Sequence, residues 1–157
     1  MDGTFSTIDA PGEPFLTYAM GINDNGQIVG RFDDPLEQGG RSHGFLYTDG
    51  SFSNVDVPGA TITIAHGIND AAQIVGIYYD GKLVPHGFLD EGGTFSTIDV
   101  PGAGFTYALG TNDAGHIVGY VGSIAIPEPA ALVVFGVGLL GLRLVWRHTG
   151  RLASRSG

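Results

Sequence analysis

Acidic and amide residues return at fixed intervals through this chain, and any chemistry would have to begin with them. Asp9, Asp56 and Asp99 each stand before a Pro-Gly pair, and Asn23/Asp24, Asn69/Asp70 and Asn112/Asp113 each follow a Gly-x step. Oxygen-rich pairs on tight loops are the raw material of calcium sites. Asn23-Asp-Asn-Gly26 is the best furnished of them, but Asp70-Ala-Ala and Asp113-Ala-Gly lose the extra ligands, and no Asp-x-Asp-x-Asp-Gly loop with a trailing Glu occurs. A catalytic centre breaks symmetry, whereas these residues recur in every copy. The reading we adopt is that they nucleate turns through bonds to nearby backbone N–H groups.

The remaining reactive types point the same way. His43 and His86 hold equivalent positions and are expected at strand starts, bonded to backbone. His66 takes the place of Met20 and Leu109, His116 that of Gln27 and Gln73, and His148 lies near the C-terminus. With no His-x-His or His-Glu-x-x-His pattern and no cysteine, neither a zinc site nor a thiol nucleophile is expected. No Gly-x-Ser-x-Gly occurs, and Gly136-Val-Gly138 lacks the third glycine of a dinucleotide loop. The acid pairs Asp33/Asp34 and Asp90/Glu91 could serve glycoside hydrolysis, but beside Pro or Gly they read as solvated turn acids. If there is a ligand contact, it is expected at Tyr47, Tyr78 and Tyr79, or on the asymmetric loop 33–42. We expect no enzyme, no metal and no cofactor.

What positions these residues is a repeat. Gly3-Thr-Phe-Ser-Thr-Ile-Asp-Ala-Pro-Gly12 returns from Gly50 and again from Gly93, at spacings of 47 and 43 residues. Gly21-Ile-Asn-Asp-Asn-Gly-Gln-Ile-Val-Gly30 returns from Gly67 and Gly110, at 46 and 43, and His43-Gly-Phe-Leu46 returns as His86-Gly-Phe-Leu89, at 43. Each period reads as about four short strands. Residues 43–48 turn through Asp49-Gly50 into 52–57. Pro58-Gly59 fits a type II turn, and strands over 64–69 and 73–79 follow. Ile74 and Val75 would point to opposite faces of one strand, which requires sheets stacked face to face.

Four strands in that length is the size of a propeller blade. The expected fold is therefore all-β: repeated four-stranded antiparallel units, propeller-like, about three incomplete blades, open or fragmentary. Eleven strands are expected, the first copy starting at its second strand. Exposed sheet ends would invite self-association. The division expected is a repeat domain over 1–125, a transmembrane segment over 126–148 and a basic polar tail over 149–157.

Charge supports that division. Glycine makes up 27 of 157 residues and only 15% are charged, which excludes a charge-rich disordered chain. Residues 1–126 carry 15 acids against Arg31, Arg41 and Lys82, while Arg143, Arg147, Arg151 and Arg155 follow Glu128. So acidic a body repels phosphate backbones, and no nucleic-acid partner is expected. After the stiff Pro127-Glu128-Pro129 step comes an uncharged apolar run over 130–142. Extended to Trp146 as a helix it would span about 25 Å, near the minimum for a bilayer, with the basic end cytoplasmic. The competing reading is a buried helix or strand pair of the domain.

Two resemblances follow from these motifs. The tail resembles a PEP-CTERM sorting signal, on Pro127, Glu128 and Pro129, the apolar run, and Arg143 and Arg147. The body resembles the HAF family of extracellular repeats, on its His-Gly-Phe, Ile-Asp-x-Pro-Gly and Gly-Ile-Asn-Asp-x-Gly-Gln-Ile-Val-Gly blocks. Together they imply an exported surface or biofilm-matrix protein of a Gram-negative bacterium that makes exopolysaccharide. They imply inner-membrane tethering by the C-terminal helix, an exosortase-type processing enzyme as partner, and exopolysaccharide as another. No N-terminal signal peptide is visible, so an N-terminally truncated remnant of a longer repeat protein is one alternative. A carbohydrate-binding propeller-like module is the other, and an adhesive or scaffolding role is the expectation.

Overall fold

In the computed structural model, the structure describes residues 3–12 and 14–123, together with the strand backbone of 131–136 and 143–144. The chain is all-β and forms three antiparallel four-stranded sheets. The first comprises β1 (Leu16–Ile22), β2 (Ile28–Asp33), β3 (Ser42–Thr48) and β4 (Ser51–Asn54). The second comprises β5 (Ile62–Ile68), β6 (Gln73–Tyr79), β7 (Pro85–Glu91) and β8 (Thr94–Ile98). The third comprises β9 (Phe105–Thr111), β10 (His116–Gly122), β11 (Ala131–Gly136) and β12 (Arg143–Leu144).

Local chemistry explains the turns. Asp49 and Gly50 both have positive φ, 50° and 85°, the backbone of a tight hairpin that follows the twist of its strands. Val57 O accepts from Ala60 N at 3.0 Å across Pro58-Gly59, with Gly59 at φ 81°, as a type II turn demands. Thr63 Oγ1 accepts from Val57 N at 3.1 Å, and the same bond recurs at Thr106/Val100 and Thr17/Ala10.

The sheets stack. β5 packs on β1, β2 and β3, and β9 on β5, β6 and β7. Val29, Val55, Ala65, Ile68, Ile74 and Phe88 form one core between the first and second sheets. Val75, Leu89, Val100, Ala108 and Ile117 form another between the second and third. Adjacent Ile74 and Val75 therefore serve opposite interfaces, as their burial on both faces of one strand requires. Each such side chain contributes about 1.5–3 kcal/mol when fully buried.

Glycine sets the spacing between sheets. A Cβ on Gly67 would lie 2.9 Å from Gly110 Cα, and one on Gly21 would lie 3.2 Å from Gly67 Cα. The three first glycines of the Gly-x-Asn-Asp blocks thus form a column in which backbone meets backbone. Beside it, β1, β5 and β9 each carry a bulge that skips Met20, His66 and Leu109 respectively. His66 is half-buried there, and burial and the Arg31 charge both lower its pKa.

Several expectations need correction. The sequence period and the sheet are out of phase: a sheet begins at the Gly-x-Asn-Asp strand and ends with the Phe-Ser strand, so β1 opens a sheet rather than continuing one. Residues 3–12 form no strand. Phe52 and Phe95, the counterparts of Phe5, pair with β3 and β7, but no such strand lies beside Phe5 among the described residues, and its ring is 98% exposed. The strand expected over 52–57 stops at Asn54, where Val55 N turns to Gly44 O at 2.9 Å. At the C-terminal end, where an apolar helix over 130–142 is expected, Ala131–Gly136 runs as a strand antiparallel to β10, and Arg143–Leu144 pairs with it. Here the apolar segment takes the ladder position that β3 and β7 hold in the other sheets. The rest of that span lies outside the described residues. Among the described residues no helix is long and apolar enough to cross a membrane.

The glycine column yields a direct test. Gly67→Ala should destabilise the protein by about 1–3 kcal/mol, the usual cost of overpacking, and lower the Tm by several degrees. Gly110→Ala meets only Val118 Cγ2, at 3.3 Å, and should cost far less. Thermal melts of both variants followed by circular dichroism check the ranking, and equal losses would refute the column.

Candidate functional site

A dense set of charged groups gathers where the loop 33–42 meets the turn after β4. Asp34 N donates to Arg41 O at 2.8 Å, closing the loop around the short 3-10 turn Leu36–Gln38. That closure sets the Asp34 carboxylate 3.2 Å from His43 Nε2. From the other side Asp56 Oδ2 lies 2.8 Å from His43 Nδ1, while Asp56 Oδ1 accepts from Gly44 N at 3.2 Å. Phe32 stacks on the imidazole at 5.3 Å. Arg41 reaches across to the Pro-Gly turn, donating from Nη2 to Ala60 O at 2.9 Å and from Nε to Thr61 O at 3.4 Å. A groove of about 270 Å³ runs between them, lined by Arg41, Ser42, His43, Asp56, Pro58 and Thr61 among others.

Electrostatics at His43 follow from this clamp. Partial burial opposes protonation, but the bonds and charges of Asp56 and then Asp34 outweigh it, and the pKa rises above its ordinary 6.5. In the imidazolium both ring nitrogens donate, one to each carboxylate.

The arrangement is duplicated. His86 Nδ1 lies 2.8 Å from Asp99 Oδ2, its Nε2 lies 3.8 Å from Asp80 Oδ2, and Tyr78 stacks on it at 5.1 Å. These histidines are thus held by carboxylates, not by backbone as expected from the sequence. Asp56 and Asp99 likewise spend their side chains on histidine instead of on the turn that follows them. One signal could have revealed it: the His–Asp separation is 13 residues in both copies.

Chemically, the groove's polar groups are committed to one another. Both nitrogens of His43 face carboxylates, Ser42 Oγ donates to Asp33 Oδ1 at 2.6 Å, and the Arg41 guanidinium serves backbone carbonyls. The geometry is that of a latch tying β3 to the Ile-Asp-x-Pro-Gly turn. Among the described residues no group of three or more His, Asp or Glu is arranged to hold a metal ion.

The second acidic pair is dispersed too. Asp90 is buried, not solvated: its carboxylate accepts from Gly93 N at 2.7 Å, and burial raises its pKa against that bond. Glu91 accepts from Gln73 Nε2 at 2.6 Å. Tyr47, Tyr78 and Tyr79 do not converge. Tyr47 meets Phe52 edge-on within the first sheet, whereas Tyr78 and Tyr79 are neighbours on β6 and point to opposite faces. Tyr78 Oη bonds Thr97 Oγ1 at 3.0 Å and Tyr79 Oη bonds Tyr107 Oη at 2.9 Å. Burial first, and then Tyr79, raise the Tyr107 pKa.

The Asn-Asp blocks do more than turn. Asn23 Oδ1 accepts from Gln27 N at 2.9 Å within its own turn, as expected, while its Nδ2 donates to Asn69 O at 2.9 Å in the next unit. Asn69 does the same with Gln73 N at 2.9 Å and Asn112 O at 3.1 Å. Asp24 N donates to Asp70 Oδ1 at 2.9 Å, and Asp70 N to Asp113 Oδ1 at 2.8 Å. A polar ladder thereby stitches the turn tips together along the stack. Each rung joins residues 43–46 positions apart, so the chain between its ends gives no local cue to it.

The other candidate lies in the tail, where Pro127, Glu128, Pro129 and Arg147 are outside the described residues. Arg143 is placed by its backbone in β12. Residues 125–151 match the model of the PEP-CTERM protein-sorting motif. No curated protein and no solved structure matches the chain. The sorting motif therefore begins just beyond β10 and includes β11 and β12, so the segment that completes the third sheet is also the segment the motif occupies.

The His43 clamp makes a signed prediction. A raised folded pKa means the clamp's stabilisation is full below about 6.5 and is lost as pH rises through the folded value. The stability deficit of Asp56→Asn relative to the wild type should therefore shrink as pH rises past that point. NMR titration should place His43 above 6.5 and His66 below it; the reverse order would discard the clamp.

Proposed function

We propose that the chain is an exported bacterial surface or matrix protein without catalytic activity, in which the β body is displayed and the C-terminal motif tethers it. One observation carries this reading: a PEP-CTERM sorting motif over residues 125–151, joined to a body of repeated sheets. An exosortase-type enzyme in the inner membrane is the partner such a motif implies.

In this reading Pro127-Glu128-Pro129 forms the recognition step, and the apolar residues after it enter the bilayer as a helix. Arg143 and Arg147 then sit at the cytoplasmic interface, where the positive-inside rule places them. Leaving β10 frees that strand's edge, so the tail has a soluble resting place in the third sheet and a lipid destination. The body belongs to the HAF type of repeat and forms an arc of propeller-like blades. Its histidine clamps and Asn-Asp ladder are spent on architecture, which favours scaffolding or adhesion over turnover. Exopolysaccharide is the matrix component such a scaffold would meet.

Removal of residues 127–157 tests the tether. In a bacterium expressing the full chain, the protein should fractionate with the inner membrane, and the shortened form should move to the soluble fraction. Identical fractionation of the two forms would end the reading.

A further inference from the structure

We infer that the two ends of the sheet stack are complementary, and that the third sheet of one chain takes the first sheet of a second copy, head to tail. The inference concerns the body alone, so it stands or falls apart from the tether.

The internal interfaces supply the template. At both of them the earlier unit donates and the later one accepts: Asn Nδ2 to the next Asn O, and Asp N to the next Asp Oδ1. This polarity leaves unlike ends. At the third unit, Asp113 N has no acceptor among the described residues. Asn112 Nδ2 keeps its within-turn bond, to His116 Nδ1 at 3.2 Å as Asn23 and Asn69 keep theirs to Gln27 and Gln73, but has no second bond to a further unit among the described residues. At the first unit, Asn23 O and Asp24 Oδ1 stand where Asn69 O and Asp70 Oδ1 accept. A donor end thus matches an acceptor end, rung for rung.

Apolar burial shows the same asymmetry. Val29 and Val75, covered by the following sheet, are 0% exposed, whereas their counterpart Val118 is 42% exposed. At the other end Ile22 is 67% exposed, against 6% for Ile68, which packs on the preceding sheet. Ala19 is open to solvent, while Ala65 and Ala108 are fully buried.

The glycine column ends in the same way. A Cβ on Gly21 or Gly67 meets the backbone of the next unit, but one on Gly110 meets only Val118 Cγ2 within its own sheet. What covers each internal face is a unit bearing Gly, Asn and Asp at these positions, and a second copy presents such a unit at its first sheet. Because the contact joins unlike patches, it closes as a ring or extends as a filament, according to the rotation per copy.

The test uses the full chain in mild detergent, which keeps the tail from driving association, with mass followed across a concentration series by light scattering. The wild type should rise above its 16.3 kDa to twofold or more. Gly110→Leu, which blocks the donor end, and Ile22→Asp, which spoils the acceptor end, should each remain at monomer mass. Mixed one to one, they should recover a species of twice that mass and none larger, because only one junction is intact. Circular dichroism melts confirm that each variant is folded, and Val118→Asp replaces Gly110→Leu if the latter is not. A wild type that stays monomeric throughout, single variants that associate like the wild type, or a mixture that gains no mass would each overturn the inference.

Discussion

Close approach of backbone to backbone along the column of Gly21, Gly67 and Gly110 is the constraint on which the structure rests. Hydrophobic side chains supply most of the driving force between sheets, but they are non-directional and would accept a range of separations. A glycine whose absent Cβ would sit 2.9 Å from the next unit's Cα admits one separation. Only at that distance can Asn69 Nδ2 reach Asn112 O and Asp70 N reach Asp113 Oδ1. The column thus converts a stack held by burial into one held in register, and the polar ladder reads out that register.

A second glycine position works within each sheet. A Cβ on Gly76 would lie 2.7 Å from Cε1 of Phe88 on the adjoining strand, and Gly30 stands in the same relation to Phe45 at 2.9 Å. The Ile-Val-Gly and His-Gly-Phe blocks are therefore a matched pair: one leaves a space and the other fills it with a fully buried ring. In the third sheet Gly119 keeps the space, but its ladder partner is Val133 in β11. No His-Gly-Phe block follows Gly119 in the sequence, and the third sheet is completed by β11 and β12, within the residues that match the sorting motif.

This pairing also explains how much of the molecule could be read in advance. The period, the Asp49-Gly50 hairpin, the Pro58-Gly59 turn and the burial of Ile74 and Val75 on opposite faces are local consequences of residue type, and all were legible. The phase between sequence repeat and sheet was not, because hairpin signals fix which strands are neighbours but not where a sheet begins. Nor was the loss of the strand over residues 3–12, since a strand needs a partner that its own sequence does not specify. The Asn-Asp blocks were half legible. Their turn-capping bond is local and was expected, whereas the bond to the next unit depends on a tertiary approach set by glycine. His43 and His86 were misassigned to backbone partners because a clamp across 13 residues leaves no periodic mark unless two copies are compared. Tyr78 and Tyr79, expected as ligand contacts, do not converge because neighbours on a strand point to opposite faces.

The C-terminal segment brings these strands of argument together. Its apolar, β-branched and glycine-containing sequence satisfies two solvents at once: Val133 and Val134 suit an extended ladder beside β10, and the same uncharged run suits lipid. A free edge on β10 would otherwise be an open template for pairing. Occupation of that edge by β11 shields the strand, with β12 paired outside it. Among the described residues, the cores between sheets draw on residues up to Val121. Among the described residues, the second core thus ties β9 and β10 to the second sheet through side chains that all precede the sorting motif.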